Sequence, residues 1–134
     1  KSWQAEGLKN AVTRHPGVNF VICHLLAPNG KQEEELKRAL EGLALPNVWF
    51  DLASVPHNCM DASEPWKRAG AYVRLARDLV GADKLLFGTD MPSALKEAPY
   101  GDYVRWIREM EGLNDAEREQ ILYQNAAKVY AGLS

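Results

Sequence analysis

The sequence predicts an α/β fold with parallel strands, on three observations. Short apolar runs at about 18–25, 48–54 and 84–90 have the length of buried strands. Between them lie helix-length segments whose apolar residues recur every three and four positions, the alternation of βα units. Each run also ends in a residue with chemical capacity, namely His24, Asp51 and Asp90. In parallel α/β folds the C-terminal strand ends and the loops after them gather on one rim and build the site.

The elements follow in order. Leu8, Ala11 and Val12 mark the apolar face of a first helix, and Val18-Asn19-Phe20-Val21-Ile22-Cys23 is the first strand, ending at His24. Leu36, Leu40 and Leu43 mark a second helix, with Glu33-Glu34-Glu35 in its first turn, where the helix dipole favours negative charge. Trp49-Phe50-Asp51-Leu52 forms the middle strand. Tyr72, Val73, Ala76, Leu79 and Val80 stripe a third helix, ended by Gly81. The third strand is Leu85-Leu86-Phe87, after which Gly88-Thr89-Asp90-Met91-Pro92 leaves the strand, because proline cannot continue it. Tyr103, Trp106, Ile107 and Met110 have the spacing of a fourth amphipathic helix, and these aromatics read as core. Asn114 with Glu117 forms a capping box for the next helix, and Asn125 is expected to cap or kink the entry to a last one. Right-handed crossovers place the helices on one side of the three strands, so the other sheet face has no segment left to cover it.

Composition narrows the function classes. With 134 residues, 46% apolar and 25% charged, the chain reads as one domain over 1–134 with no linker, repeat or low-complexity tract. A net charge of −2 with both signs interspersed gives no basic field for nucleic acid. No apolar run approaches the length of a membrane span and no signal segment opens the chain, so a cytoplasmic setting is expected. Cys23 within a strand and Cys59 in a loop predict one buried thiol and one free thiol rather than a disulfide. There is no Gly-rich phosphate loop, Cys-x-x-Cys pair or Gly-x-Ser-x-Gly elbow, which argues against nucleotide binding, structural zinc and serine hydrolysis.

The rim loops are expected at about 25–31, 55–65 and 91–99, and the last two exceed the usual two to six residues or so of βα connections. They carry His57, Asn58, Cys59, Asp61, Lys96 and Glu97, of which His57 is the candidate for substrate contact. Asp51 reads equally as a site acid or as a carboxylate satisfied by backbone or by a basic side chain. His15 precedes a strand, at the opposite end, and has a turn role.

Three features together resemble the amidohydrolase superfamily, specifically its amidohydrolase-related branch of metal-dependent hydrolases and decarboxylases. They are His24 at a strand end, Gly88-Thr89-Asp90-Met91-Pro92 after another, and Asn125-Ala126 within Ile121–Tyr130. The resemblance implies that His24 ends the sixth strand and Asp90 the eighth strand of a (β/α)8 barrel. It implies Asp90 as metal ligand and proton acceptor, and His24 as general acid/base or carbonyl-polarising group. The family often has glycines after its histidine, where this chain has Leu25-Leu26-Ala27-Pro28. The family's metal-binding His-x-His pair has no counterpart among His15, His24 and His57.

A full barrel takes about 250 residues, so the expectation is the C-terminal half of one, belonging to an enzyme and inactive alone. The intact enzyme would hold a divalent metal, expected to be zinc, and act through metal-activated water on a small carboxylate or carbonyl metabolite. This chain alone would bind none. Decarboxylation in the same superfamily and a non-catalytic α/β association module are the alternatives. Self-association as a homodimer is expected through the uncovered sheet face.

Overall fold

Three parallel strands, β1 (Phe20–Ile22), β2 (Val48–Asp51) and β3 (Leu85–Leu86), form one sheet in the order β1-β2-β3 in a computed structural model that describes residues 1–29 and 33–131. The register pairs Ile22 with Phe50 and Phe50 with Leu85, while Val21 pairs with Trp49 and Asp51 with Leu86. Because side chains alternate along a strand, these are two faces. The first face is the core: Ile22, Phe50 and Leu85 are buried against residues of the helices, and Leu52 continues the row. On the second, Val21, Trp49 and Asp51 are half-buried and only Leu86 is fully covered.

The strand side chains alternate between a face that meets the chain's own helices and one that does not. Phe50, Leu52, Leu85 and Phe87 face the chain's own core, whereas Val21 and Cys23 belong to the other side. That side is also less bare than expected, since the Lys84 ammonium sits 4.2 Å from the centre of the Trp49 ring and donates to the Pro46 carbonyl at 2.7 Å. The strands are shorter than the apolar runs, because their last residues turn into the rim loops.

Helices α1 (Ala5–Arg14), α2 (Glu33–Gly42) and α3 (Pro65–Val80) alternate with the strands as expected. Pro65 opens α3, where its missing N–H is no loss. Helix α4 (Tyr100–Arg108) is followed by α5 (Asp115–Glu119), whose capping box is formed: Glu117 N–H donates to Asn114 Oδ1 and Asn114 N–H to the Glu117 carboxylate, each at 2.9 Å.

Of the two expectations for Asn125, a cap or a kink, the cap is corrected, and the irregularity at this entry is a π turn just before it. Helix continues from α5 through a π turn, Gln120–Gln124, into α6 (Asn125–Tyr130), and Asn125 lies within helical backbone. Its buried side chain instead donates to the carbonyls of Ala82 and Leu85, both at 2.8 Å. The π turn presents the Ile121 carbonyl to the residue just after β3, where it accepts the Phe87 N–H at 2.9 Å. Sequence periodicity cannot show such tertiary hydrogen bonds.

His15 lies in the turn after α1, its carbonyl accepting from Val18 N–H and Asn47 Nδ2. Among the described residues no helix is long and apolar enough to cross a membrane. Residues 30 and 31 of the first expected rim loop lie outside the described residues.

Candidate active site

The chain turns sharply at the end of β1. His24, Leu25, Leu26 and Ala27 have φ of 59°, 49°, 62° and 56°, four consecutive non-glycine residues in the left-handed region. That conformation costs roughly 1–2 kcal/mol per residue. Leu25 and Leu26 are 0% and 2% exposed, and burying each contributes about 1.5–3 kcal/mol. Burial is thus large enough to offset the backbone term at these two positions. The conformation that glycines would adopt is reached here with leucines, and their side chains go into the core.

The turn aims His24 at the end of β2. Its backbone N–H donates to Asp51 Oδ1 at 2.9 Å, and its Nδ1 lies 3.0 Å from the Ala53 carbonyl oxygen. A carbonyl only accepts, so this bond places the proton on Nδ1 and leaves Nε2 as the nitrogen available for chemistry. Asp51 Oδ1 also accepts the Ala53 N–H at 3.1 Å. Of its two sequence readings, the backbone-satisfied carboxylate describes what the structure shows.

The next residue reaches Asp90. The Ser54 hydroxyl donates to Asp90 Oδ2 at 2.6 Å, and both residues have positive φ, 56° and 62°. Strand ends β2 and β3 approach closely because position 88 is glycine: a Cβ there would lie 3.1 Å from the Ala53 Cβ. Consecutive residues Ala53 and Ser54 therefore hold the two leading site residues, His24 and Asp90, on one rim. Asp90 is solvent-exposed.

Cys23 is exposed and Cys59 buried, the reverse of what their strand and loop positions predict, and neither forms a disulfide. Cys23 lies one step past β1 on the half-open face, whereas Cys59 is a member of the core. Partial burial, then the charge and hydrogen bond of Asp51, then the charge of Asp90, push the Cys23 thiol above its ordinary pKa.

His57 stands on the rim loop after β2 and pairs through Nδ1 with Glu97 of the loop after β3. Its side chain is 60% exposed, that of Glu97 only 16%. The Tyr103 hydroxyl donates to the Ala94 carbonyl at 3.1 Å and to Glu97 Oε2 at 3.4 Å. Burial, then the Glu97 carboxylate, raise the Tyr103 pKa, so the phenol stays a donor. Ser54–Asp90 and His57–Glu97 thus tie the same two loops. Sequence patterning assigned Tyr103 to the core and missed Ser54; the only sequence signal for Ser54 is a small hydroxyl residue just beyond a strand end.

These side chains do not by themselves make a metal site. His24 Nε2 and Asp90 Oδ1 are chemically suited to ligation, but among the described residues no three His, Cys, Asp or Glu side chains gather as a ligand set. Three protein ligands are usual for catalytic zinc, so any complete set would draw on groups outside this chain.

Comparison with known proteins agrees with this fold. The chain is 31% identical over 102 residues to an L-fucono-1,5-lactonase of Burkholderia ambifaria, a match covering 70% of this chain and 33% of the lactonase. An amidohydrolase from Burkholderia multivorans superposes with TM-scores of 0.85 with bound HEPES and 0.84 with bound zinc, at 23% and 24% identity, over 97% of this chain and 50% of that protein. A 5-carboxyvanillate decarboxylase from Sphingomonas paucimobilis shares the fold at 14% identity and a TM-score of 0.63, over 97% of this chain and 38% of the decarboxylase. The chain spans about a third of the lactonase's length and half of the Burkholderia multivorans protein's, so it is about half of a TIM barrel, with three of the parallel strands. With the amidohydrolase family model matching residues 2–132, the chain belongs to the amidohydrolase family.

Proposed function

We propose that this chain is the C-terminal half of a metal-dependent hydrolase that adds water to a small carbonyl compound, with a sugar-acid lactone as the first substrate class to test. One observation carries the reading: His24 and Asp90 lie just beyond the C-terminal ends of different parallel strands, β1 and β3, and are held on one rim by the adjacent residues Ala53 and Ser54. Similarity to a lactonase supports the substrate class.

A divalent metal, when bound, lowers the pKa of its water to roughly 7 and polarises a carbonyl. Asp90 supplies Oδ1 as ligand or as acceptor of the water proton. His24, its own proton held on Nδ1 by the Ala53 carbonyl, takes up at Nε2 the proton released as the water adds and delivers it to the departing ring oxygen as that oxygen's bond to the carbonyl carbon breaks. His57, anchored by Glu97 yet exposed, contacts the substrate's polar groups. The remaining metal ligands come from the other half of the barrel, and zinc is the proposed metal because a structural neighbour holds it.

The test is lactone hydrolysis, followed in a pH-stat, by the protein that carries this chain together with the rest of the barrel. His24→Gln and Asp90→Ala should each lower kcat by about 10²–10⁴-fold without unfolding the protein. Near-normal turnover in either variant contradicts the reading. Release of carbon dioxide from an aromatic carboxylic acid, with no lactone turnover, points instead to the decarboxylase branch. The non-catalytic reading draws on the incomplete ligand set and the half-open sheet face. It is favoured if the natural protein lacks the other barrel half and sediments as a homodimer.

A further inference from the structure

We infer that Ser54 is a positioning residue for this site: its hydroxyl fixes one oxygen of Asp90 so that the other is presented to the metal and the attacking water. The inference rests on the proposed function and deepens it.

Three observations carry it. The Ser54 Oγ to Asp90 Oδ2 distance of 2.6 Å falls in the range of a hydroxyl bonded to an ionised carboxylate, about 2.5–2.7 Å. Among the described residues this is the hydrogen bond that a side chain makes to the Asp90 carboxylate, and Asp90 is exposed, so the bond sets the rotation of a group that would otherwise turn freely. Ser54 is also held at a φ of 56°, its carbonyl accepting the Asn58 N–H at 2.9 Å. Glycine meets that backbone requirement without strain, so the turn alone gives no reason for a serine. What serine adds over glycine is the hydroxyl, and the hydroxyl is on Asp90.

Ser54→Gly separates the two roles, because it removes the hydroxyl while relaxing the backbone. Zinc affinity is read by competition with a chromophoric chelator in the protein carrying the whole barrel, alongside kcat, KM and Tm. Ser54→Gly and Ser54→Ala should each weaken zinc binding by about 10–100-fold and lower kcat with KM little changed. Ser54→Gly should melt at or above the temperature of Ser54→Ala. A purely structural serine predicts the opposite pattern, with zinc affinity and kcat of Ser54→Gly at wild-type levels, and that result overturns the inference.

Asp90→Ala serves as the control. If it abolishes zinc binding and turnover while Ser54→Gly keeps both, the Ser54 inference alone fails. If Asp90→Ala keeps both, the proposed function fails and the role of Ser54 with it.

Discussion

Positive backbone φ falls on different residues in two regions of this molecule. At the C-terminal ends of the strands it falls on His24, Leu25, Leu26, Ala27, Ser54 and Asp90, none of them glycine. Away from that rim, among the described residues, it falls on Gly81 and Gly112. Gly81 ends α3 and donates its N–H to the Arg77 carbonyl, and Gly112 sits where a Cβ would lie 2.8 Å from Arg74 Cδ. At both glycines the chain needs only a turn and glycine supplies it. At the rim the side chains are themselves required, so left-handed backbone is held by the burial of Leu25 and Leu26 and by the hydrogen bonds of His24, Ser54 and Asp90. Strain of this kind gathers where structure serves chemistry rather than stability.

The largest effect is expected at Leu25. Leu25→Ala deletes a fully buried side chain while keeping the strained backbone, and should destabilise by about 2–5 kcal/mol in denaturant unfolding. Leu25→Gly loses the same side chain but relaxes the turn, and should be the less damaging by roughly 1–2 kcal/mol. That order reverses the usual preference for alanine over glycine. A Leu25→Gly variant less stable than Leu25→Ala would mean that the turn is not strained.

Smaller effects of opposite sign are expected at Gly112 and Ala27. Gly112→Ala forces both a left-handed alanine and a shift of Arg74, and should destabilise by about 1–2 kcal/mol. Ala27→Gly removes only a methyl group from a half-buried left-handed position, and should stabilise by about 1 kcal/mol. Both are read from unfolding midpoints; equal signs at the two sites would erase the distinction between the regions.

The smallest effect concerns Cys23. Partial burial and the carboxylates of Asp51 and Asp90 disfavour its thiolate, so alkylation by iodoacetamide near pH 8 should be slower than for a free cysteine. Asp90→Asn removes one of those charges, lowers the thiol pKa and should speed the reaction a few-fold at the same pH. An unchanged rate would place Asp90 too far from Cys23 for the rim described here.

Much of the fold was legible in the sequence because its signals are local. Val48 to Leu52 and Leu85 to Phe87 announce buried strands, Asn114 with Glu117 announces a helix start, and the strand-end positions of His24 and Asp90 follow from βα order. What was illegible depends on pairs distant in the chain. Asn125 reads as a cap until the carbonyls of Ala82 and Leu85 are beside it. Cys23 reads as buried because its strand is apolar, although its face of the sheet is half open. Ser54 is one small polar residue in a loop, and its meaning lies in a carboxylate 36 positions away. The left-handed run at Leu25-Leu26-Ala27 has no sequence signal, since leucine is a residue from which such backbone is not expected.

In the proposed function this rim is one part of a shared metal site, with Asp90 as a ligand supplied by this chain. Calorimetric zinc titration of the 134-residue chain, beside the protein carrying the whole barrel and its Asp90→Ala variant, tests it most directly. Weak or negligible binding by the chain, stoichiometric tight binding by the whole barrel, and loss of that binding in Asp90→Ala are expected. Tight stoichiometric zinc uptake by the chain alone, or undiminished binding in Asp90→Ala, would contradict it.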